Sequence, residues 1–186
     1  MQAESKLQDL GLVLPEAPKV PEGFKFSFAW TRVRGNRIYI SGHGAQAPDG
    51  SFIGPFGKVP SEVSLEQAQQ AAHNTALSML ASIKRELGDL DRVTAWLIVH
   101  GMVNAEPGYP QTTNAINGFS ELILEVYGPE VGQHARTAVG MATLPLNNAV
   151  VIAAEAEFAQ WLAQGSVWSF LESPQRRKPS FWETVF

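Results

Sequence analysis

Residues 93–103, VTAWLIVHGMV, form the stretch that most limits how this chain can fold. Almost every position in it is apolar. A strand with one solvated face alternates apolar and polar residues, whereas a nearly continuous apolar run is typical of a strand covered on both faces. We therefore expect a strand at 93–103 with structure packed against each of its sides.

Two amphipathic helices are predicted, one before this strand and one after it. The first begins after Ser64, which forms a capping-box pattern with Gln67, and it ends at Gly88. Its apolar residues recur on one face: Leu65, Ala68, Ala72, Ala76, Leu80, Ile83 and Leu87. The second helix fits residues 113–127 and is ended by Gly128-Pro129. Two such helices can cover one face of a single sheet.

Further strands are predicted around these elements. FKFSFAWTRV (24–33) and NRIYISG (36–42) carry β-forming residues and flank a Gly35-Asn36 turn, which indicates a hairpin. Two more strands fit residues 135–143 and 149–158, with Pro145 and a turn between them. The order β-β-α-β-α-β-β predicts an α+β fold with one sheet.

We place the folded domain at residues 23–158, between two terminal segments. Residues 1–22 form an arm with an apolar cluster, followed by prolines at 15, 18 and 21 whose spacing suits an extended connector. Residues 159–186 form a C-terminal extension that is too aromatic for a disordered tail, with Trp161, Trp168, Phe170, Phe181, Trp182 and Phe186. This extension either packs on its own subunit or reaches a neighbour or the cleft.

The composition excludes several classes of function. A net charge of −4 and no evident basic face argue against a nucleic-acid partner. The chain has no cysteine, which excludes thiol catalysis and disulfides, and its four histidines are too scattered to predict a metal site. There is no phosphate loop, no apolar run of membrane-spanning length and no signal-peptide pattern, so we expect a cytoplasmic protein without a cofactor or a membrane partner.

Arg136 stands in a stretch of small residues, GQHARTAVGMATLP (132–145), without an acidic neighbour. It is either an exposed strand arginine, the partner of a distant carboxylate, or the binding group for an anionic ligand. By strand parity it shares a face with His134, Ala138 and Gly140, and the small residues Ala138 and Gly140 leave space beside the cation. His134 and His43 are candidate acid–base groups, although the residues alone favour an ordinary loop histidine at both positions, less strongly at His134 because it shares a face with Arg136.

Four stretches, taken in order, resemble the Rid family of reactive intermediate deaminases, also called YjgF. They are RIYISGHGAQAPDG, DLDRVTAWLIV, INGFSELILEVYG and HARTAVGMATLP, and the resemblance covers residues 24–158. It implies a chorismate-mutase-like fold, with one mixed sheet and two helices on one face, assembled as a homotrimer with sites between subunits. The implied activity is hydrolysis of 2-enamine or 2-imine acids to 2-keto acids and ammonia.

The resemblance also implies roles for individual residues. Arg136 matches the arginine that holds the substrate carboxylate. Ser41-Gly42-His43 matches the backbone segment that lines the family site, where Gln is more common than His43. Asn117 matches an asparagine early in the second helix, and Phe28 stands where some members carry a site aromatic.

One position departs from the family pattern. Deaminating members carry Glu-x-Glu after Leu-Pro, and the first Glu handles the attacking water, but this chain has Val151 and Ala153 there. A valine cannot accept a proton. Two interpretations follow. Either the chain is a divergent deaminase that uses His43, His134 or a neighbouring subunit, or it binds a carboxylate-bearing metabolite, or serves another pathway step, without deaminating it.

Overall fold

The computed structural model describes residues 2–23 and 25–160, and the main elements of this part are three α-helices and five strands. In chain order they are α1 (Gln2–Asp9), β1 (Thr31–Arg34), β2 (Arg37–His43), α2 (Leu65–Leu87), β3 (Val93–Asn104), α3 (Thr112–Gly132), β4 (Ala135–Met141) and β5 (Val150–Phe158).

The strands form one sheet in the order β1-β2-β5-β3-β4. All neighbours pair antiparallel except β3 and β4, which are parallel, so the sheet is mixed. Helices α2 and α3 pack against each other and against the sheet. The predicted α+β fold and its β-β-α-β-α-β-β order are therefore confirmed, and the predicted hairpin joins β1 to β2 through Gly35-Asn36.

Both long helices have the predicted ends. The Ser64 hydroxyl accepts a hydrogen bond from the Gln67 backbone at 3.2 Å, while the Gln67 side chain accepts one from the Ser64 backbone at 2.9 Å. Gly88 ends α2 in the left-handed conformation, at φ 83°. In α3 the backbone leaves the helical region at Gly128, as expected, and a further turn then runs to Gly132.

Strand β5 shows how the sheet divides into two faces. Val150, Ile152, Ala154, Ala156 and Phe158 are buried against the helices. The residues between them face the opposite side, which we call the open face. On this face Val151 is buried, whereas Ala153, Glu155 and Glu157 are only partly buried. The alternation predicted for this strand is confirmed.

The expectation that β3 is covered on both faces holds on one face only within a single chain. Trp96, Val99 and Val103 are buried against the helices. On the open face, Ile98 and Met102 are partly buried and His100 is exposed. The apolar residues that suggested a second covering layer therefore remain accessible in the isolated chain.

The N-terminal arm contains α1, a helix that the sequence analysis did not predict. Ala3 and Leu7 of this helix are buried, and the Ala3 backbone donates to the Asp91 carboxylate at 2.8 Å. The following segment runs without regular structure along the loop at 48–50. The backbone N–H of Glu16 donates to the Pro48 carbonyl, and the backbone N–H of Lys19 donates to the Gly50 carbonyl. The aromatic extension from Trp161 onwards lies outside the described residues.

Candidate functional site

Arg136 lies on the edge strand β4 and turns its side chain towards α3. Its guanidinium donates to the Ser120 hydroxyl at 2.9 Å, to the Asn117 side-chain oxygen at 3.0 Å and to the Thr113 carbonyl at 3.3 Å. Asn117 and Ser120 are three residues apart, so one face of the helix presents both to the strand. The orientation of the guanidinium is therefore fixed by α3.

These three acceptors are neutral, and the charge of Arg136 is not balanced by them. Among the described residues, no carboxylate forms an ion pair with this guanidinium. Arg37, by comparison, lies near Glu157 at 3.9 Å. A half-buried cation that is oriented but not neutralised is suited to bind an anion, and a guanidinium can hold a carboxylate through two parallel hydrogen bonds.

His134 contacts the same serine as Arg136. Its Nε2 lies 2.9 Å from the Ser120 hydroxyl, and its Nδ1 lies 2.7 Å from the Gly132 carbonyl. A carbonyl only accepts, so Nδ1 carries the proton, and Nε2 accepts from the hydroxyl. Burial and the nearby Arg136 charge lower the pKa of His134, which favours this neutral form. His134 thus orients Ser120, and Ser120 in turn orients Arg136.

His43 occupies a similar position beneath the other helix. Its side chain is buried, with Nδ1 2.6 Å from the Ser41 carbonyl and Nε2 2.8 Å from the Ser82 hydroxyl, which also accepts from Arg85 at 2.8 Å. Desolvation lowers the pKa of His43 from 6.5 to about 4. His43 is therefore neutral near pH 7, and both of its ring nitrogens are already engaged within the core.

A cavity of about 440 Å³ lies next to Gly42, on the side of β2 opposite to the buried His43 side chain. Phe28, Gly42 and Val151, all identified from the sequence, line it. A Cβ atom at Gly42 would lie 2.9 Å from Val151 Cγ1, so any larger residue at this position would force the Val151 side chain to move. We call this space the Trp30 cavity; its remaining walls are Lys19, Val20, Pro21, Phe26, Trp30, Gly44, Phe52, Pro145, Leu146 and Asn148.

No acidic side chain lines the Trp30 cavity within the described residues. Val151 is almost fully buried there, at the position where the family glutamate was expected. Ser41 lines a separate cavity on the open face together with His100 and Glu155. The Ser41 hydroxyl donates to the Ala29 carbonyl at 2.7 Å, which fixes the chain just before β1.

The structure brings Arg136, Asn117 and His134 together, but not with the cavity that contains Val151. Arg136 pairs with Val99 on β3, Val99 with Ala154 on β5, and Ala154 with Ile40 on β2. Three strand spacings, about 14 Å, therefore separate Arg136 from the strand that carries Gly42. The two halves of the predicted site lie apart within one chain.

Several residues of these two regions were not identified from the sequence. Ser120 and Ser82 each link a histidine to an arginine, and their spacing on the helices is the signal that could have revealed them. Ser120 lies three residues after Asn117, and Ser82 three residues before Arg85. Trp30, which packs on His43 with ring centroids 4.9 Å apart, carried no comparable signal.

The described residues include no group of three or more His, Asp and Glu side chains that could hold a metal ion. Within the same part of the chain, none of the helices combines the length and hydrophobicity needed to span a membrane.

Comparison with known proteins identifies relatives that match most of the chain. The chain is 36% identical over 154 residues to protein TCP17 of Trypanosoma cruzi. This alignment covers 82% of the present chain and 92% of TCP17. The crystal structure of Atu1372 from Agrobacterium tumefaciens, a protein of unknown function, is 34% identical and matches with a TM-score of 0.74 over 84% of this chain and 92% of that one.

A candidate endoribonuclease from Shewanella oneidensis shares the fold. Its TM-score is 0.75, at 23% identity, over 85% of this chain and all of its own. No protein-family model matches the chain.

Proposed function

The chain belongs to the Rid (YjgF) family, and from this premise we propose that it binds a small 2-keto or 2-imino acid through Arg136. One observation carries the proposal. Three neutral acceptors fix the orientation of the Arg136 guanidinium, but no carboxylate among the described residues balances its charge. A carboxylate ligand would supply the missing negative charge.

We further propose that the site is shared between the subunits of a homotrimer. Arg136 of one chain lies about three strand spacings from the Trp30 cavity of the same chain. The Arg136 side chain is on the helix-covered face of the sheet, whereas the cavity adjoins Val151 on the opposite face. Two chains placed side by side can bring the arginine of one to the cavity of the other. The partly buried Ile98 and Met102 on the open face supply apolar surface for such an assembly.

The chemistry that we propose is binding with slow turnover. Hydrolysis of an enamine or imine needs a group that takes a proton from the attacking water. Val151 cannot do this, and the described walls of the Trp30 cavity include no carboxylate. His43 is buried with both nitrogens engaged. This arrangement favours a member that binds its ligand over one that deaminates rapidly, and we expect this protein to act in the cytoplasm.

A divergent deaminase is the second candidate, because one observation favours it. Glu155 and His100 line the cavity next to Ser41 on the open face. A carboxylate and an imidazole beside the Ser-Gly segment could take over the handling of water if the ligand extends into this second cavity.

Calorimetric titration with pyruvate tests the binding proposal. We expect Arg136→Gln to weaken binding by about 2–5 kcal/mol, the range typical of losing one member of a buried charged pair. Arg37→Gln is the matched control, because it removes a strand arginine that is already near a carboxylate. Equal affinity in the wild type and Arg136→Gln would reject the assignment. Ammonia release from freshly generated 2-aminoacrylate, measured on the same samples, separates binding from deamination.

A further inference from the structure

The walls of the Trp30 cavity are more aromatic than binding of a small keto acid requires. Phe26, Phe28 and Trp30 form a cluster whose ring centroids lie 5.0–5.2 Å apart, with tilted or edge-to-face planes. Phe52 and Leu146 add further apolar surface. Pyruvate has one methyl group to place against these walls, so most of the apolar surface would face water.

Two side chains in this wall are exposed although they are large and apolar. Phe28 is 51% exposed and Leu146 67% exposed in the isolated chain. Contiguous apolar surface that a protein leaves uncovered commonly marks a binding site. This surface lies beside Gly42 and Val151, two residues that the family resemblance assigns to the site, so in the proposed shared site it would face the part of the ligand away from the carboxylate.

The two polar side chains in the described wall of the cavity each have a partner within the protein. Lys19 pairs with Asp49 at 3.0 Å, and the Asn148 amide donates to the Pro145 carbonyl at 2.7 Å. A polar ligand group placed among the aromatic rings would lose hydration, and Lys19 and Asn148, the two polar side chains in the described wall, already have partners. The cavity therefore discriminates against polar side chains on the ligand.

We propose that the Trp30 cavity holds an aryl side chain, and that the natural ligand class is 2-keto or 2-imino acids with an aromatic group. This inference rests on the proposed function, in which Arg136 holds the carboxylate. A cavity of about 440 Å³ is within the range of small-molecule sites and exceeds what one phenyl ring fills. Edge-to-face packing on Phe28 and Trp30 would favour a planar ring over an aliphatic chain of equal size.

The test compares phenylpyruvate with pyruvate by calorimetry on the full-length protein. Burying a phenyl group is expected to make phenylpyruvate bind on the order of 10- to 100-fold more tightly. Phe28→Ser, at an exposed position, should reduce this preference several-fold. Arg136→Gln should weaken both acids by a similar factor and so preserve their ratio, because it acts on the carboxylate alone.

The possible failures are distinguishable. If pyruvate binds and phenylpyruvate binds no better, the inference about the aryl side chain is wrong and the carboxylate site stands. That result is also expected if a neighbouring subunit or another segment of the chain fills the cavity. If neither acid binds, the proposed function is wrong, and the aryl inference falls with it.

Discussion

Replacing His43 with Gln should reduce the sensitivity of the protein's stability to acid. His43 is 1% exposed, and desolvation lowers its pKa from 6.5 to about 4 in the folded state. The unfolded chain therefore binds a proton more readily than the native protein between these two values. Stability from this group is complete above about pH 6.5 and is lost progressively as the pH falls towards 4.

The magnitude follows from the two pKa values. One pKa unit corresponds to about 1.4 kcal/mol, so protonation of His43 in full would cost the native state about 3 kcal/mol. Between about pH 7.5 and pH 5 the expected loss is about 2 kcal/mol. Protonation would also place a second donor against the Ser82 hydroxyl, which already accepts from Arg85.

Urea denaturation of the wild type and His43→Gln, at matched protein concentration and at both pH values, measures this effect. Glutamine stays neutral and can still donate to the Ser41 carbonyl and accept from Ser82. Other titrating groups, including His134, contribute equally to both proteins and cancel in the comparison. If the free energy of unfolding of the two proteins falls by the same amount on acidification, His43 does not titrate as a buried neutral histidine and the argument is refuted.

Three further predictions concern single side chains. Ser120→Ala removes one acceptor from Arg136 and should weaken pyruvate binding about fivefold, measured by calorimetry; an unchanged affinity would mean that the serine does not hold the guanidinium. Val151→Glu should raise the rate of ammonia release from 2-aminoacrylate by about 10²-fold or more if the longer side chain fits, whereas no increase would show that the missing acid is not what limits turnover. Ser64→Ala removes the N-cap of α2 and should lower the free energy of unfolding by about 1 kcal/mol, and a change within error would contradict the capping role.

Local signals in the sequence were sufficient to predict helices α2 and α3 and the last strand. Ser64, Gln67 and Gly88 act within one or two turns of backbone, so their pattern alone defines the ends of α2. The alternation of β5 likewise follows from a period of two residues that tertiary structure does not alter. The family resemblance added the mixed sheet and the placement of both helices on it.

The orientation of His43 could not be predicted from alternation. Ile38 and Ile40 face the helices, so simple parity would place Gly42 there and turn His43 away. The register of β2 against β5 shifts between Ile40 and His43, which lie opposite Ala154 and Ile152. One extra residue in β2 reverses the parity and carries His43 into the core, and such bulges leave no local sequence signal here.

Helix α1 was missed for a related reason. Its eight residues are too few to form a stable helix alone, and the fold stabilises them by burying Ala3 and Leu7 and by capping the helix with Asp91 from a distant turn. The separation of Arg136 from the Trp30 cavity was equally invisible, because it depends on the strand order of the sheet.

Subunit mixing tests most directly whether one site is built from two chains. Arg136→Gln removes the carboxylate group, and Val151→Trp fills the Trp30 cavity next to Gly42. At ligand concentrations that just saturate the wild type, neither variant alone should show appreciable pyruvate binding. When the two chains are refolded together in equal amounts, random assembly should restore about one quarter of the sites, because half of the arginines and half of the cavities are intact. Calorimetric recovery of that fraction supports a shared site, and a mixture that binds no pyruvate while assembling normally would contradict it.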